Sequence, residues 1–405
     1  MSIFVQIASY RDPELVKTLD DLFTQADNPD ELHVCIAWQN SPEDEWDNLD
    51  KYKEDERLTI LDIPYRESKG ACWARNQIQQ HYKGEDYTLQ LDSHHRFVKG
   101  WDTICIDMIK QLQERGHKKP LLTSYIPSYQ PDNDPQGRVD TPWGMSFDRF
   151  TPEGVVFFLP YYMQNELYPK PARFFSAHFC FTLGEFSKEV QHDPEYYFHG
   201  EEITLAVRAY THGYDLFHPN KVIAWHEYTR VGRVKQWDDD PTWTRKNTDC
   251  HKKVRSLLGI DFENEIQEIE YGLGDVRTLE DYQEYAGIKF DERQITNNCK
   301  TNALPGREDN PEYFNEFKHA IDLNVKSYPE DDYEFVAVIF EDKLGKEIHR
   351  QDIPGDEFNA NLKVHRKNGS NYTVWRQYQG PKPNHIIIWP FSTSKQWCEK
   401  QLMTI

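Results

Sequence analysis

Leu89-Gln90-Leu91-Asp92-Ser93-His94-His95 is an apolar strand pattern that ends in an acid, with an imidazole two places later. In extended chain, residues i and i+2 project to the same face. Asp92 and His94 can therefore hold one divalent cation between them. A carboxylate with an imidazole suits manganese or a similar borderline ion better than calcium. An ion placed there stabilises negative charge developing on phosphoryl oxygens.

Upstream of this motif, short apolar runs alternate with amphipathic segments. Ile3 to Ala8, Leu32 to Trp38, Leu58 to Ile63 and Tyr87 to Leu91 read as four strands. Helices are expected from about Pro13 to Ala26 and around Ala71 to Tyr82. That alternation predicts βαβ units and a mostly parallel sheet. Ligands then bind along the edge where the strands' carboxyl ends lie. Ser9-Tyr10-Arg11-Asp12-Pro13 closes the first strand and offers a seat for a base and ribose. Arg66 and the small-residue turn Gly70-Ala71-Cys72-Trp73-Ala74-Arg75-Asn76 add two cations upstream of the metal motif.

Two further constellations lie downstream. In Phe198-His199-Gly200-Glu201-Glu202, two acids precede a helix with Ile203, Val207 and Tyr210 at helical spacing. Acids there favour the helix dipole; alternatively, Glu201 or Glu202 orients a hydroxyl or accepts its proton. In Val222-Ile223-Ala224-Trp225-His226-Glu227-Tyr228-Thr229-Arg230, a strand delivers His226, which can complete the metal shell as neutral imidazole. Arg230, four residues on, can grip a diphosphate through charge-assisted bonds.

The bulk composition limits the alternatives. The 405 residues carry 47 Lys and Arg against 68 Asp and Glu, a net charge of −21, with no basic run. Such a chain is a poor candidate for binding nucleic acid, which depends on phosphate neutralisation. The high aromatic content, 14%, indicates a globular chain. Seven scattered cysteines without a CxxC pair point to a reducing compartment. With no leader-like start and no apolar run long enough to span a bilayer, the expectation is a cytoplasmic protein. No dinucleotide fingerprint, P-loop, nucleophile elbow or HExxH motif occurs.

From Leu121 to about Pro171 the chain is rich in Pro, Tyr, Asp and Gly and reads as a long, partly irregular excursion over the site. The expected organisation is a catalytic domain at 1–260, an acidic, partly helical linker at 261–330 and a small β domain at 331–405. The last rests on Tyr333 to Phe340, Lys363-Val364-His365 with Asn368-Gly369 as a turn, Tyr372 to Tyr378 and Asn384 to Trp389.

Ile7-Ala8-Ser9-Tyr10-Arg11-Asp12-Pro13-Glu14, Gly70 to Asn76, Leu91-Asp92-Ser93-His94, and Gly200-Glu201-Glu202 with Ala206 and Arg208 together resemble the cytoplasmic polypeptide N-acetylglucosaminyltransferases. Asp92-Ser93-His94 also resembles the metal motif of the mucin-type polypeptide N-acetylgalactosaminyltransferases. The resemblance covers roughly residues 1–260. It implies a GT-A fold, a Rossmann-like mixed sheet flanked by helices. It further implies Mn²⁺, a UDP-sugar donor with GlcNAc favoured, retention of anomeric configuration, and a Ser, Thr or hydroxyproline hydroxyl of a polypeptide as acceptor. Carried over by position, Asp92, His94 and His226 are metal ligands and Arg230 is a diphosphate contact. Ser9 and Arg75 fall in the nucleotide pocket, joined by Arg11, Arg66 and Ser93 as donor contacts. Phe198-His199-Gly200-Glu201-Glu202 matches the mucin-type Trp-Gly-Gly-Glu-Asn only at Gly200 and Glu201. Three other readings stand beside this one: transfer to a glycan or small molecule, a metal-dependent hydrolase using Asp92, His94, His199 and His226, and an inactive binding scaffold.

Overall fold

A computed structural model describes residues 1–151, 153–164, 166–229, 232–260 and 270–405. The chain divides into two compact units, Met1–Asp291 with Asn297–Pro311, and Glu292–Thr296 with Glu312–Ile405.

The first unit is built on strands β1 (Ile3–Tyr10), β2 (Leu32–Asn40), β3 (Leu58–Pro64), β4 (Tyr87–Asp92), β5 (His95–Phe97), β6 (Pro120–Thr123), β7 (Trp143–Phe150), β8 (Val156–Tyr162), β9 (Lys170–Pro171), β10 (Phe179–Leu183), β11 (Asp215–His218) and β12 (Ala224–His226). Its helices are α1 (Leu15–Gln25), α2 (Ala71–Gln79), α3 (Trp101–Glu114), α4 (Phe186–Glu189), α5 (Glu201–Thr211), α6 (Gln236–Asp239) and α7 (Trp243–Leu257), followed by a helix at Leu279–Ala286 and a turn of helix at Asn297–Lys300. The main sheet runs β3-β2-β1-β4-β10-β6-β11-β9. Strands β1 to β4 are mutually parallel, and β10 enters antiparallel between β4 and β6. The sheet is therefore mixed, as expected.

Period-2 alternation sorts the side chains between two layers. Ile3, Val5, Ile7, Val34 and Ile36 face Leu15, Leu19 and Leu22 of α1 and Trp101, Cys105 and Ile109 of α3 in one buried cluster. Phe4, Cys35 and Ala37 face the other way, onto Ala74 and Ile78 of α2. Each fully buried Leu, Ile or Phe contributes roughly 1.5–3 kcal/mol by leaving water. Strands buried on both faces read as continuous apolar runs, and that is how β1, β2 and β4 were legible.

Three expectations need correction. The excursion from Leu121 to Pro171 is more regular than its composition implies. It begins with β6, inside the main sheet, and continues as the antiparallel hairpin β7–β8, with Phe147 opposite Phe158. Stacking of Phe158 on Phe174, 4.3 Å between centroids, anchors that hairpin in the unit.

The acidic segment is not a linker throughout. Residues 261–269 lie outside the described residues, but 270–311 fall largely within the first unit. Thr278 and Asp281 form a capping box at the start of the helix Leu279–Ala286. The Tyr282 hydroxyl of that helix donates to the Arg173 carbonyl at 2.6 Å, and the Arg173 guanidinium donates to the Ala286 and Ala303 carbonyls.

The second compact unit resumes at Glu312 rather than 331. Tyr313–Leu323 pairs antiparallel with Tyr372–Gln379, and Tyr333–Glu341 with His385–Ser392. Lys363-Val364-His365, expected as a strand, lies in a helix spanning Gly355–Asn368. Phe358 and Leu362, four apart, bury one stripe of it, and Gly369 at φ +68° is its C-cap, not a hairpin turn. No described helix is long and apolar enough to cross a membrane.

Candidate active site

The site lies at the carboxyl ends of β1 and β4, as the α/β arrangement requires. In the parallel register Asp92 is the partner of Ala8. Because Ala8, Gly70 and Ala71 are small, a cavity of about 160 Å³ opens above them. Asp92, Ser93, His94 and His226 line it, and residues 233–237 close its far side.

Asp92, His94 and His226 converge, each offering a ligand atom within 4.8 Å of the others. Asp92 Oδ2 lies 3.4 Å from His226 Nε2 and 3.7 Å from His94 Nε2. The antiparallel pairing of β12 with β5, His226 beside His95, carries the third ligand to the other two. Burial holds the His226 imidazole well below its ordinary pKa, so it is neutral and has a lone pair to give. Burial pushes the Asp92 carboxyl up, but its hydrogen bond with His226 and the charge of Arg75 outweigh that, and it ionises well below the usual range.

Sequence reasoning missed Asp12 as a partner of these ligands. His94 Nδ1 lies 2.7 Å from Asp12 Oδ2 and against Arg233 Nη1; with its proton on Nδ1, the ring turns Nε2 towards Asp92 as an acceptor. Ser93 Oγ donates to the same Asp12 oxygen at 2.8 Å. A carboxylate behind a ligating imidazole fixes its tautomer and ring orientation. The donor set, one carboxylate and two Nε2 nitrogens with one ring braced, fits Mn²⁺ or a similar ion. The advance signals for Asp12 were its place just after β1 and in the Ile7–Glu14 motif.

Arg233 was also missed. Its guanidinium pairs with Asp12 Oδ2 at 3.1 Å and Glu227 Oε2 at 2.7 Å, and it lines the cavity beside His94. Arg230 lies outside the described residues. Ser9, Arg11 and Arg66 line neither this cavity nor its neighbour. Ser9 falls between Ala8 and Tyr10, which do line it, so strand alternation turns its hydroxyl to the opposite face. Arg11 is engaged with Asp44 at 2.6 Å and Asp239 at 3.0 Å. Arg66 is exposed, resting on the Tyr65 ring.

A second cavity of about 350 Å³ shares Ala71, Asp92, Phe198 and His226 with the first. Tyr125, Phe157, His178, Glu201, Glu202 and Tyr228 also line it. The two acids differ sharply. Glu201 is buried against Arg75 Nη1 at 2.5 Å and His192 Nδ1 at 3.0 Å. Burial alone raises its pKa, but Arg75 and His192 bring it down to about 2. Glu202 accepts from the Ala177 backbone N–H at 3.0 Å and the Tyr125 hydroxyl at 2.8 Å, with no cation on it. Burial pushes Glu202 up to about 7, only partly offset by those two hydrogen bonds.

Arg75 does not line the first cavity; it sits behind Asp92, with Nη2 2.6 Å from Oδ1. His178 stacks on His226 at 4.3 Å, and Tyr125 on His178 at 5.3 Å, so rings run from the metal cluster to Glu202. His199, named for the hydrolase reading, stacks on His251 and meets Phe157 edge-on at the wall of the second cavity, outside the Asp92, His94 and His226 group. Cys72, His192 and Glu201 form the other compact metal-capable group among the described residues, but Arg75 already neutralises Glu201 there.

The α/β sheet thus carries an acid-and-imidazole cluster at its carboxyl edge, where two cavities share lining residues. The sequence profile of the family described as glycosyltransferase (GlcNAc) matches residues 2–56 and 47–292, more than half of the chain. The chain belongs to that family. No curated protein matches it in sequence. Among solved structures it is similar to GalNAc-T7 with UDP, GalNAc and Mn²⁺, at 13% identity and TM-score 0.48, covering 98% of this chain and 68% of that one. It is also similar to S. aureus TarS 1-349 with UDP-GlcNAc, at 14% identity and TM-score 0.38, covering 59% and 61%. A third is the mannosyltransferase PcManGT from Pyrobaculum calidifontis with GDP-Man and Mn²⁺, at 13% and 0.37, covering 62% and 64%.

Proposed function

We propose that the protein transfers N-acetylglucosamine from UDP-GlcNAc, with Mn²⁺ and with retention, to a Ser, Thr or hydroxyproline hydroxyl of a polypeptide in the cytoplasm. The observation that carries the metal-dependent transfer is the convergence of Asp92, His94 and His226 where two cavities meet. The family's description supports the sugar. The seven free cysteines support a reducing compartment.

Asp92, His94 and His226 would hold the cation, which would supply charge stabilisation for a departing diphosphate. The protein's own groups do the rest. Asp12 keeps the His94 ring turned so that Nε2 faces the site. The Arg233 guanidinium offers further positive charge at the cavity wall for the diphosphate. Ala8, Gly70 and Ala71 leave room for the nucleotide. Aromatic faces of Tyr125, Phe157 and Tyr228 in the second cavity suit the apolar face of a sugar ring. Glu202, the acid there without a cation, steadies the sugar or the acceptor. The incoming hydroxyl attacks from the side the diphosphate leaves and gives its proton to a leaving-group oxygen, so charge is conserved as the new glycosidic bond replaces the old one.

The test is UDP release from a panel of UDP-sugars by the purified protein with Mn²⁺, followed by mass spectrometry of proteins modified in the native host. Slow hydrolysis of UDP-GlcNAc is expected. A folded protein that releases UDP from none of the panel, and that UDP with Mn²⁺ fails to stabilise thermally, overturns the reading.

A further inference from the structure

Arg75 and Glu201 occupy the protein interior, each 4% exposed, directly behind a proposed metal ligand. The guanidinium is split between two carboxylates. Nη2 reaches Asp92 Oδ1 at 2.6 Å and Nη1 reaches Glu201 Oε1 at 2.5 Å. Asp92 is thereby divided too, with Oδ1 on Arg75 and Oδ2 facing His226 and His94.

Glu201 is itself anchored. His192 Nδ1 lies 3.0 Å from it, the opposite ring nitrogen of His192 lies 2.7 Å from Gln90 Oε1, and the Gln90 amide donates to the Ala177 carbonyl. Gly200, in the left-handed region at φ +95°, starts α5 so that Glu201 points inward at its first turn. A carboxylate pinned in this way does not swing out to meet substrate.

A guanidinium is a planar fork that prefers to grip one carboxylate with two parallel N–H donors. Left alone beside Asp92, Arg75 would cover both oxygens and compete with any cation for Oδ2. We propose that Glu201 is a positioning residue that acts through Arg75: by holding one arm of the guanidinium it confines Arg75 to Asp92 Oδ1 and reserves Oδ2 for the divalent ion. This rests on the metal centre described above. It makes Glu201 a wall of the second cavity that is tied down by Arg75 and leaves Glu202 as the acid there without a cation.

The experiment is a double-mutant cycle of Mn²⁺ affinity, with free Mn²⁺ read by electron paramagnetic resonance and apo-protein melting followed in parallel. Wild type, Glu201→Gln, Arg75→Gln and the double variant are compared. Glu201→Gln is expected to weaken Mn²⁺ binding by about tenfold or more, the usual scale for outer-shell changes. Removing Arg75 as well is expected to restore binding to within a few-fold of wild type, because the competitor is gone. A Glu201 needed only for packing would not be rescued by losing its partner.

If Glu201→Gln does not fold, Glu201→Asp, too short to hold the Arg75 arm, takes its place in the cycle. Without Arg75, Glu201→Gln should leave Mn²⁺ affinity nearly unchanged, and a large further loss overturns the proposal. A folded Glu201→Gln protein that binds Mn²⁺ like wild type also overturns it. A wild-type protein that takes up no Mn²⁺ sinks the metal centre itself, a separate failure.

Discussion

Glu202 gives the most quantitative handle on the second cavity. Its carboxyl ionises near pH 4.5 in an unfolded chain and at about 7 in the folded protein, because burial penalises the anion and no cation sits on it. The folded state therefore holds this proton more tightly than the unfolded state. The sign follows directly: between these two values the folded form binds more protons, so stability falls as pH rises. The loss begins above about pH 4.5 and is complete above about pH 7. At 1.36 kcal/mol for each tenfold difference in proton affinity, the whole effect is about 3 kcal/mol.

Glu202→Gln removes the titration while keeping shape. The amide oxygen still accepts from the Ala177 N–H, and its NH₂ can donate to a Tyr125 hydroxyl turned round to accept. Measured by urea unfolding of both proteins, the variant should gain about 2.5 kcal/mol relative to wild type between pH 5 and pH 8.5. Tyr125→Phe removes a hydrogen bond that favours the anion, and should move the midpoint of the wild-type pH profile upward. A difference between wild type and Glu202→Gln that stays flat over that range would refute the reasoning, since Glu202 would then be ionised throughout and unstrained.

Asp92→Ala should abolish the Mn²⁺-dependent stabilisation by UDP, which in wild type amounts to about 2.7 kcal/mol at a ligand concentration one hundred times Kd; differential scanning fluorimetry with and without EDTA reads it. Arg233→Ala should raise the Kd for UDP by about tenfold, since a charged hydrogen bond is worth roughly 1.5–3 kcal/mol, and isothermal titration in Mn²⁺ reports it. Gly200→Ala should cost about 2 kcal/mol or more in chemical denaturation: the position has φ +95°, and a Cβ there would come within 2.4 Å of Val254 Cγ2. Adding Val254→Ala should recover the steric part of that loss and leave the backbone part.

The sequence by itself determined what short-range periodicity can carry. Runs buried on both faces located β1 to β4, and the intervening apolar stripes located α1 and α2. The Asp92-x-His94 pair was legible because two side chains two residues apart at a strand end share a face whatever the rest of the chain does. Only the tertiary structure decided the rest. His226 is 134 residues from Asp92 along the chain, and the β5–β12 pairing brings them together. Asp12 behind His94 and Arg233 across the cavity depend on the same long-range closure. Glu201 and Glu202 look equivalent as a dipeptide. Successive helix positions point about 100° apart, so one met Arg75 and the other met Tyr125, and their acidities diverged for that reason. Ser9, flanked by Ala8 and Tyr10 at the cavity, faces the other layer for the analogous reason in a strand. Local spacing fixes which residues share a face, while the partner that each face meets is a property of the closed fold.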